Sequence, residues 1–137
     1  MNHGGAEAQR KTLPDEVNHL TGAIVDSAFL VHSSMGPGLL ESVYEICLVH
    51  ELNARGLKVK RQIKLPLEYR GVRLDSGLRL DLLVEDKVVV ELKAVEQILP
   101  VHKAQLLSYL RLTGMPVGLL INFHVPLIKD GIQRMVL

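Results

Sequence analysis

Tryptophan is missing from this 137-residue chain, and it has only two phenylalanines and three tyrosines. With 47% of residues apolar but 4% aromatic, the core has to be assembled from Leu, Val and Ile. That apolar content excludes disorder as the global state, and the length suits one domain. A single cysteine, Cys47, excludes an internal disulfide and a cysteine-rich zinc site; in its apolar surroundings it reads as a small buried hydrophobe. No apolar run approaches the roughly 18 residues of a spanning helix, and the polar start up to Glu16 lacks the apolar segment of a secretory signal. The expectation is a cytoplasmic protein without membrane contact. A surplus of either charge is lacking too: 16 Lys and Arg against 15 Asp and Glu leave a formal +1. This argues against coating nucleic acid by bulk electrostatics but leaves a local basic strip open. Serine nucleophile elbows, P-loops, dinucleotide-binding glycine fingerprints and metalloprotease helices are absent.

What is present is a change of period along the chain. Residues 1 to 15, with Gly4, Gly5, Gln9, Arg10, Lys11 and Pro14, read as a flexible arm ahead of a domain over 16–137. Leu20, Ala23, Ile24, Ala28 and Val31 recur at helical spacing until Met35-Gly36-Pro37-Gly38 breaks the pattern. A second helix is expected from about Leu39 to Arg55, closed by Gly56. Lys58 to Glu68 then alternates as a strand with one wet face, and Tyr69-Arg70-Gly71 looks like a turn. Leu78 to Val84 and Lys87 to Ala94 read as two more strands, Pro100 to Leu112 as a helix, and Val117 to Phe123 as a strand covered on both faces. Ile132 to Leu137 is a candidate edge strand.

The two middle strands contain phased polar residues. In Leu78–Val84 and Val88–Ala94 every even-numbered position is apolar, so Asp81 is expected to share a face with Arg79 and Leu83, and Glu91 and Lys93 with Val89. Matching the apolar sets in a hairpin requires a three- or five-residue loop. That register sets Leu82 against Val90 and Leu80 against Leu92, which puts Asp81 across from Glu91 and Arg79 across from Lys93. Opposed carboxylates flanked by Val and Leu need a cation. A divalent metal supplies one; Arg79 and Lys93 in a surface ion-pair ladder supply another, and hairpin statistics alone favour the ladder.

Asp81 followed by Glu91-Leu92-Lys93 at the end of a valine-rich strand resembles the D…(D/E)xK signature of the PD-(D/E)XK nuclease superfamily. Gly38-Leu39-Leu40-Glu41-Ser42-Val43-Tyr44 resembles the GxxExxY element that names one branch, and Gln105-Leu106-Leu107-Ser108-Tyr109 resembles the QxxxY helix of RecB-like nucleases. Leu80 stands where the superfamily name has proline. The resemblance implies an α/β fold: a restriction-endonuclease-like αβββαβ core with an additional N-terminal helix, its central mixed sheet flanked by helices. It also implies a nuclease that hydrolyses phosphodiester bonds in DNA with a metal-activated water. Mg2+, or Mn2+, would be held by Asp81, Glu91 and the carbonyl of Leu92, a hard oxygen set suited to that ion. Lys93 would orient the water or stabilise charge growing on phosphorus. Glu41 would add a carboxylate near the metal, and Gln105 would help place the water or phosphate.

The residues themselves leave alternatives beside that implication. Glu41 also suits an exposed first-turn position favoured by the helix dipole, and Tyr44 suits the edge of the core. His102, Gln105 and Tyr109 project from one side of their helix, and His102 fits substrate contact or a structural part equally. Lys60 and Lys64, on one face with Lys58 and Gln62 and with Arg61 and Arg70 nearby, form a strip suited to a phosphate backbone or to guarding a sheet edge; Arg79 is a further candidate for substrate contact. The rival to a nuclease is a catalytically silent nuclease-fold module that binds nucleic acid or a protein partner, and a homodimer is left open.

Overall fold

The computed structural model describes residues 14–137. The expected arm falls outside the described residues except for its last two positions. Helix α1 (Asp15–Met35) begins on Asp15 and Glu16, whose charges suit the positive end of the helix dipole. Its buried stripe is Val17, Leu20, Ile24, Ala28 and Val31. The helix stops at Gly36, which takes φ 68° and donates its N–H to the His32 carbonyl. Helix α2 (Glu41–Ala54) follows, buried along Tyr44, Glu45, Leu48 and Leu52.

Five strands form one mixed sheet in chain order: β1 (Val59–Tyr69), β2 (Val72–Val84), β3 (Val88–Lys93), β4 (Val117–Asn122) and β5 (Ile132–Val136). Only β3 and β4 are parallel, so the crossover between them contains helix α3 (Pro100–Thr113), capped by the left-handed Gly114. Helices α1 and α2 pack on one face against Leu82, Val84, Val88, Val90, Leu92, Leu119 and Ile121. Helix α3 covers the other face, with Leu106 and Leu110 against Leu80, Leu83, Val89 and Leu120. The order is the expected αβββαβ behind an additional N-terminal helix, with β5 as the antiparallel edge.

The β2–β3 loop has three residues, since Val84 pairs with Val88, and Glu85 and Asp86 take φ 53° and 54° to close it. Leu82 pairs with Val90 as the apolar phasing requires. Strand β2 starts at Val72 rather than Leu78. Arg70 and Gly71, both left-handed, make a two-residue turn that keeps Tyr69 paired with Val72 and Leu67 with Leu74. The register shifts between Leu65 and Leu67, and Gly77 sits there because a Cβ would lie 2.4 Å from the Leu65 carbonyl oxygen. The β1–β2 hairpin therefore outruns the β2–β3 ladder, which spans only Leu82–Val84.

One expectation is corrected. The even-numbered residues of β2 do not share a face: Leu80 packs with Leu83 against α3, whereas Leu82 and Val84 pack against α1 and α2. Strand β1 changes sides at the same level, with Val59 on the α1–α2 side and Ile63 and Leu65 on the α3 side. The switch falls at Gln62, whose φ is +49°, and at Asp81; the ladder runs Arg61 with Leu82 and Ile63 with Leu80, without a bridge between Gln62 and Asp81. Lys60, paired with Leu83, and Lys64, paired with Arg79, consequently lie on opposite faces, not in one strip.

Candidate active site

The site is built where β2 and β3 part. Beyond Leu82 and Val90 the two strands are joined by side chains instead of a backbone ladder. The Asp81 N–H donates to Glu91 Oε2 at 2.9 Å, and the Leu92 N–H donates to Asp81 Oδ2 at 2.9 Å. Each carboxylate thus turns into the gap between the strands and takes the place of a ladder carbonyl. Asp81 is 6% exposed and Glu91 4%. Their other oxygens, Asp81 Oδ1 and Glu91 Oε1, have no hydrogen-bond partner among the described residues. Two adjacent buried carboxylates with one open oxygen each leave a strong demand for a cation.

The surface ladder of Arg79 and Lys93 is not formed: among the described residues, neither cation lies within 4.0 Å of either carboxylate. Both act at longer range, pulling the Asp81 pKa down against the larger upward effect of burial. Burial and the Asp81 charge push Glu91 up to about 8. Asp81 is raised mainly by burial, offset by the Leu92 N–H, with the Glu45 charge adding to the rise. Glu41, the first residue of α2, is exposed to solvent as a residue, but its carboxyl faces the pair: burial and the Asp81 charge raise its pKa.

Tyr44 explains how Glu41 gets there. Its hydroxyl donates to the Gly36 carbonyl at 2.6 Å and accepts the Leu39 N–H at 3.1 Å, and its ring stacks on Phe123 with centroids 4.5 Å apart. It lies wholly inside the core rather than at its edge, and it braces the loop that delivers Glu41. Tyr44→Phe leaves both backbone groups without that partner and should cost about 1–3 kcal/mol of stability, measured by urea unfolding.

On α3, burial raises the Tyr109 pKa, the charges of Glu91 and Asp81 add to the rise and the neighbouring Gln105 side chain opposes it. That face of α3 therefore looks at the pair. His102 does not join it: its Nδ1 accepts the Leu99 N–H at 2.9 Å and caps the start of α3. Lys60 is also engaged elsewhere, with Nζ 2.7 Å from Asp86 at the opposite end of the hairpin ladder. Lys64 and Arg79 face each other as cross-strand partners and line one concavity with Asp75, Gly77 and Leu78.

Two groups at the site have no motif to announce them. Glu45, one turn after Glu41 and 6% exposed, accepts Arg61 Nε and Nη2 at 3.0 and 2.8 Å on Oε2 and Gln62 Nε2 at 2.6 Å on Oε1. Asn122 at the end of β4 accepts the Val95 N–H and donates to the Val95 carbonyl, bracing the chain just after Lys93. A buried Glu read as part of a broadly apolar helix, and an Asn ending an apolar strand, are the only traces they leave in sequence.

Among the described residues, no three His, Cys, Asp or Glu side chains cluster so as to hold a metal by themselves. Two carboxylate oxygens plus a backbone carbonyl and water still make a hard oxygen set of the kind Mg2+ and Mn2+ take. No helix among the described residues is long and apolar enough to cross a membrane.

A family model for the PD-(D/E)XK nuclease superfamily matches residues 18–135. No curated protein and no solved structure gives a significant match. The family match covers nearly the whole described fold and contains Asp81, Glu91 and Lys93 in a mixed sheet of the expected order. On that match, the chain belongs to the PD-(D/E)XK nuclease superfamily.

Proposed function

We propose that residues 16–137 form a divalent-metal-dependent nuclease domain that hydrolyses phosphodiester bonds in DNA. Within the superfamily it fits the GxxExxY branch through Gly38, Glu41 and Tyr44, with RecB-like features in Gln105 and Tyr109. The observation behind this reading is the buried pair Asp81 and Glu91, each with one oxygen held by a backbone N–H and the other open.

Asp81, Glu91 and the Leu92 carbonyl hold Mg2+ or Mn2+, with Glu41 as an outer carboxylate. When bound, the cation supplies Lewis acidity to the scissile phosphate and the attacking water. Lys93, two residues after Glu91 on the same strand, is half-buried and without an ion-pair partner among the described residues. Its ammonium orients the water and stabilises charge that grows on the phosphoryl oxygens. Gln105, beside Tyr109, orients the phosphate from the α3 side.

Substrate grip falls to Lys64 and Arg79. Like charges directly opposite on a hairpin are unfavourable unless an anion sits between them. Lys64→Ala and Arg79→Ala should each weaken DNA binding several-fold and reduce its salt slope by about one. Lys64→Ala should leave Mn2+ affinity unchanged. Fluorescence anisotropy across a salt series, with calorimetry for the metal, reads both.

The test of the whole reading is DNA cleavage by the purified chain with Mn2+, abolished by chelator and by Lys93→Ala. Wild-type protein that binds neither Mn2+ nor DNA in calorimetry would sink it. The alternative, a silent nuclease-fold module, would draw on exposed Leu30, Met35 and Ile46 along the α1–α2 groove to bind a protein partner. It wins if DNA is uncut with the metal bound and a stable partner, or a second copy of the chain, is recovered.

A further inference from the structure

Regular strand geometry forbids what β1 does at Glu45. Neighbouring residues of a strand point to opposite faces, yet Arg61 and Gln62 both donate to the one Glu45 carboxylate. The left-handed φ of +49° at Gln62 makes this possible, by swinging its side chain to the side on which Arg61 already lies. A left-handed glutamine is disfavoured and persists only when its surroundings over-determine it. Three hydrogen bonds to a buried carboxylate are that determinant.

The kink has a consequence across the hairpin. Gln62 sits opposite Asp81 in register, and this is the level at which the β1–β2 bridge is missing and both strands change faces. Were Gln62 extended, Asp81 would lie in an unbroken alternation and project from one face of the sheet. Instead its carboxylate lies in the gap beside β3 and accepts the Leu92 N–H. Glu45 itself is no candidate ligand, because both its oxygens are occupied.

We propose that Glu45, clamped by Arg61 and Gln62, is a positioning residue that holds the left-handed backbone at Gln62 and thereby turns Asp81 into the metal-binding gap. The metal half of this statement rests on the proposed nuclease function; the backbone half does not.

The test separates the two. Mn2+ affinity by calorimetry reads the metal, and hydrogen exchange of the Leu92 amide reads the Asp81 bond without any metal. Glu45→Ala should weaken Mn2+ binding roughly tenfold or more and deprotect Leu92. Gln62→Gly removes the Gln62 arm of the clamp, leaving Arg61 on Glu45, but adopts φ > 0 freely, so it should stay near wild type on both counts, and Glu45→Ala/Gln62→Gly should recover what Glu45→Ala loses. Should Glu45→Ala fail to fold, Gln62→Ala against Gln62→Gly asks the same question: alanine should lose Leu92 protection and glycine keep it. The proposal is overturned if Glu45→Ala keeps wild-type Leu92 protection, or if glycine at position 62 rescues nothing. Wild-type protein that binds no Mn2+ while the Leu92 pattern holds would overturn the metal assignment and leave the clamp standing.

Discussion

Replacing Asp81 with asparagine should lower metal-dependent DNA cleavage roughly a thousandfold, about 4 kcal/mol of transition-state stabilisation, while making the metal-free protein more heat-stable at pH 8. Both effects come from one cause. Asp81 and Glu91 are buried side by side, and after burial itself the Asp81 charge raises the cost of ionising Glu91. That arrangement serves a cation and penalises the fold without one. Asparagine retains an acceptor for the Leu92 N–H, so the strand junction survives, but the repulsion toward Glu91 disappears. Asp81→Ala is the informative control: it removes the charge and the acceptor together, leaving a buried Leu92 N–H unpaired, and should gain little or no stability. Cleavage assays with Mn2+ and calorimetric melting in chelator measure the two halves. Retained cleavage, or a lower melting temperature for Asp81→Asn, contradicts the account.

The second large effect is a dependence of stability on pH that metal reverses. Glu91 has an ordinary value of 4.5 and is pushed up to about 8 in the fold, chiefly by burial and then by the Asp81 charge. Between these values the folded chain holds a proton that the unfolded chain has released. Its contribution to stability is therefore fully present below about pH 4.5 and is lost as pH rises through about 8. Asp81 is raised as well and acts in the same direction. The metal-free protein should accordingly melt at a lower temperature at pH 9 than at pH 6, by an amount on the order of a few kcal/mol in stability. Millimolar Mn2+ should remove most of the difference, because the cation replaces the proton at the carboxylates, and its affinity should climb with pH until about 8. A flat melting profile, or one that metal leaves unchanged, is the opposing result. Glu91→Gln should flatten the profile directly.

Much of the fold was written in simple periodicities. The pairing of Leu82 with Val90 followed from matching apolar sets across a hairpin, since any slip by one residue would have buried the wrong face, and of the three- and five-residue loops this allows the chain takes the three-residue one. The break at Gly36–Gly38 and the stop at Gly114 followed from what those backbones must do. What stayed hidden had no periodic signature. Residues 72–77 fall between the expected turn and the expected strand, and only the close approach of Leu65 to Gly77 shows why a glycine sits inside β2. The left-handed turn of Gln62 is chosen by contacts distant in sequence, through Glu45, and no local pattern marks a glutamine for it. For that reason the alternation read through Asp81 holds from Leu82 to Val84 and fails at Leu80, and the lysine strip divides with it.

The candidate site shows the same division. Asp81, Glu91 and Lys93 stand out in the sequence as polar residues in strands of Val and Leu, whereas Glu41, Gln105 and Tyr109 come forward only through the resemblance of their segments to GxxExxY and QxxxY. His102 and Lys60 were drawn in by type and placement alone. The structure gives them a cap and a surface ion pair, and neither partner is visible from spacing.

The measurement closest to the central claim is a crystal of the wild-type chain soaked in Mn2+ and recorded at the manganese absorption edge. One anomalous peak is expected, bounded by Asp81 Oδ1, Glu91 Oε1 and the Leu92 carbonyl, with Glu41 and Gln105 turned toward it. Density confined to surface carboxylates, with Asp81 Oδ1 and Glu91 Oε1 left open and free of any cation, would contradict the central claim.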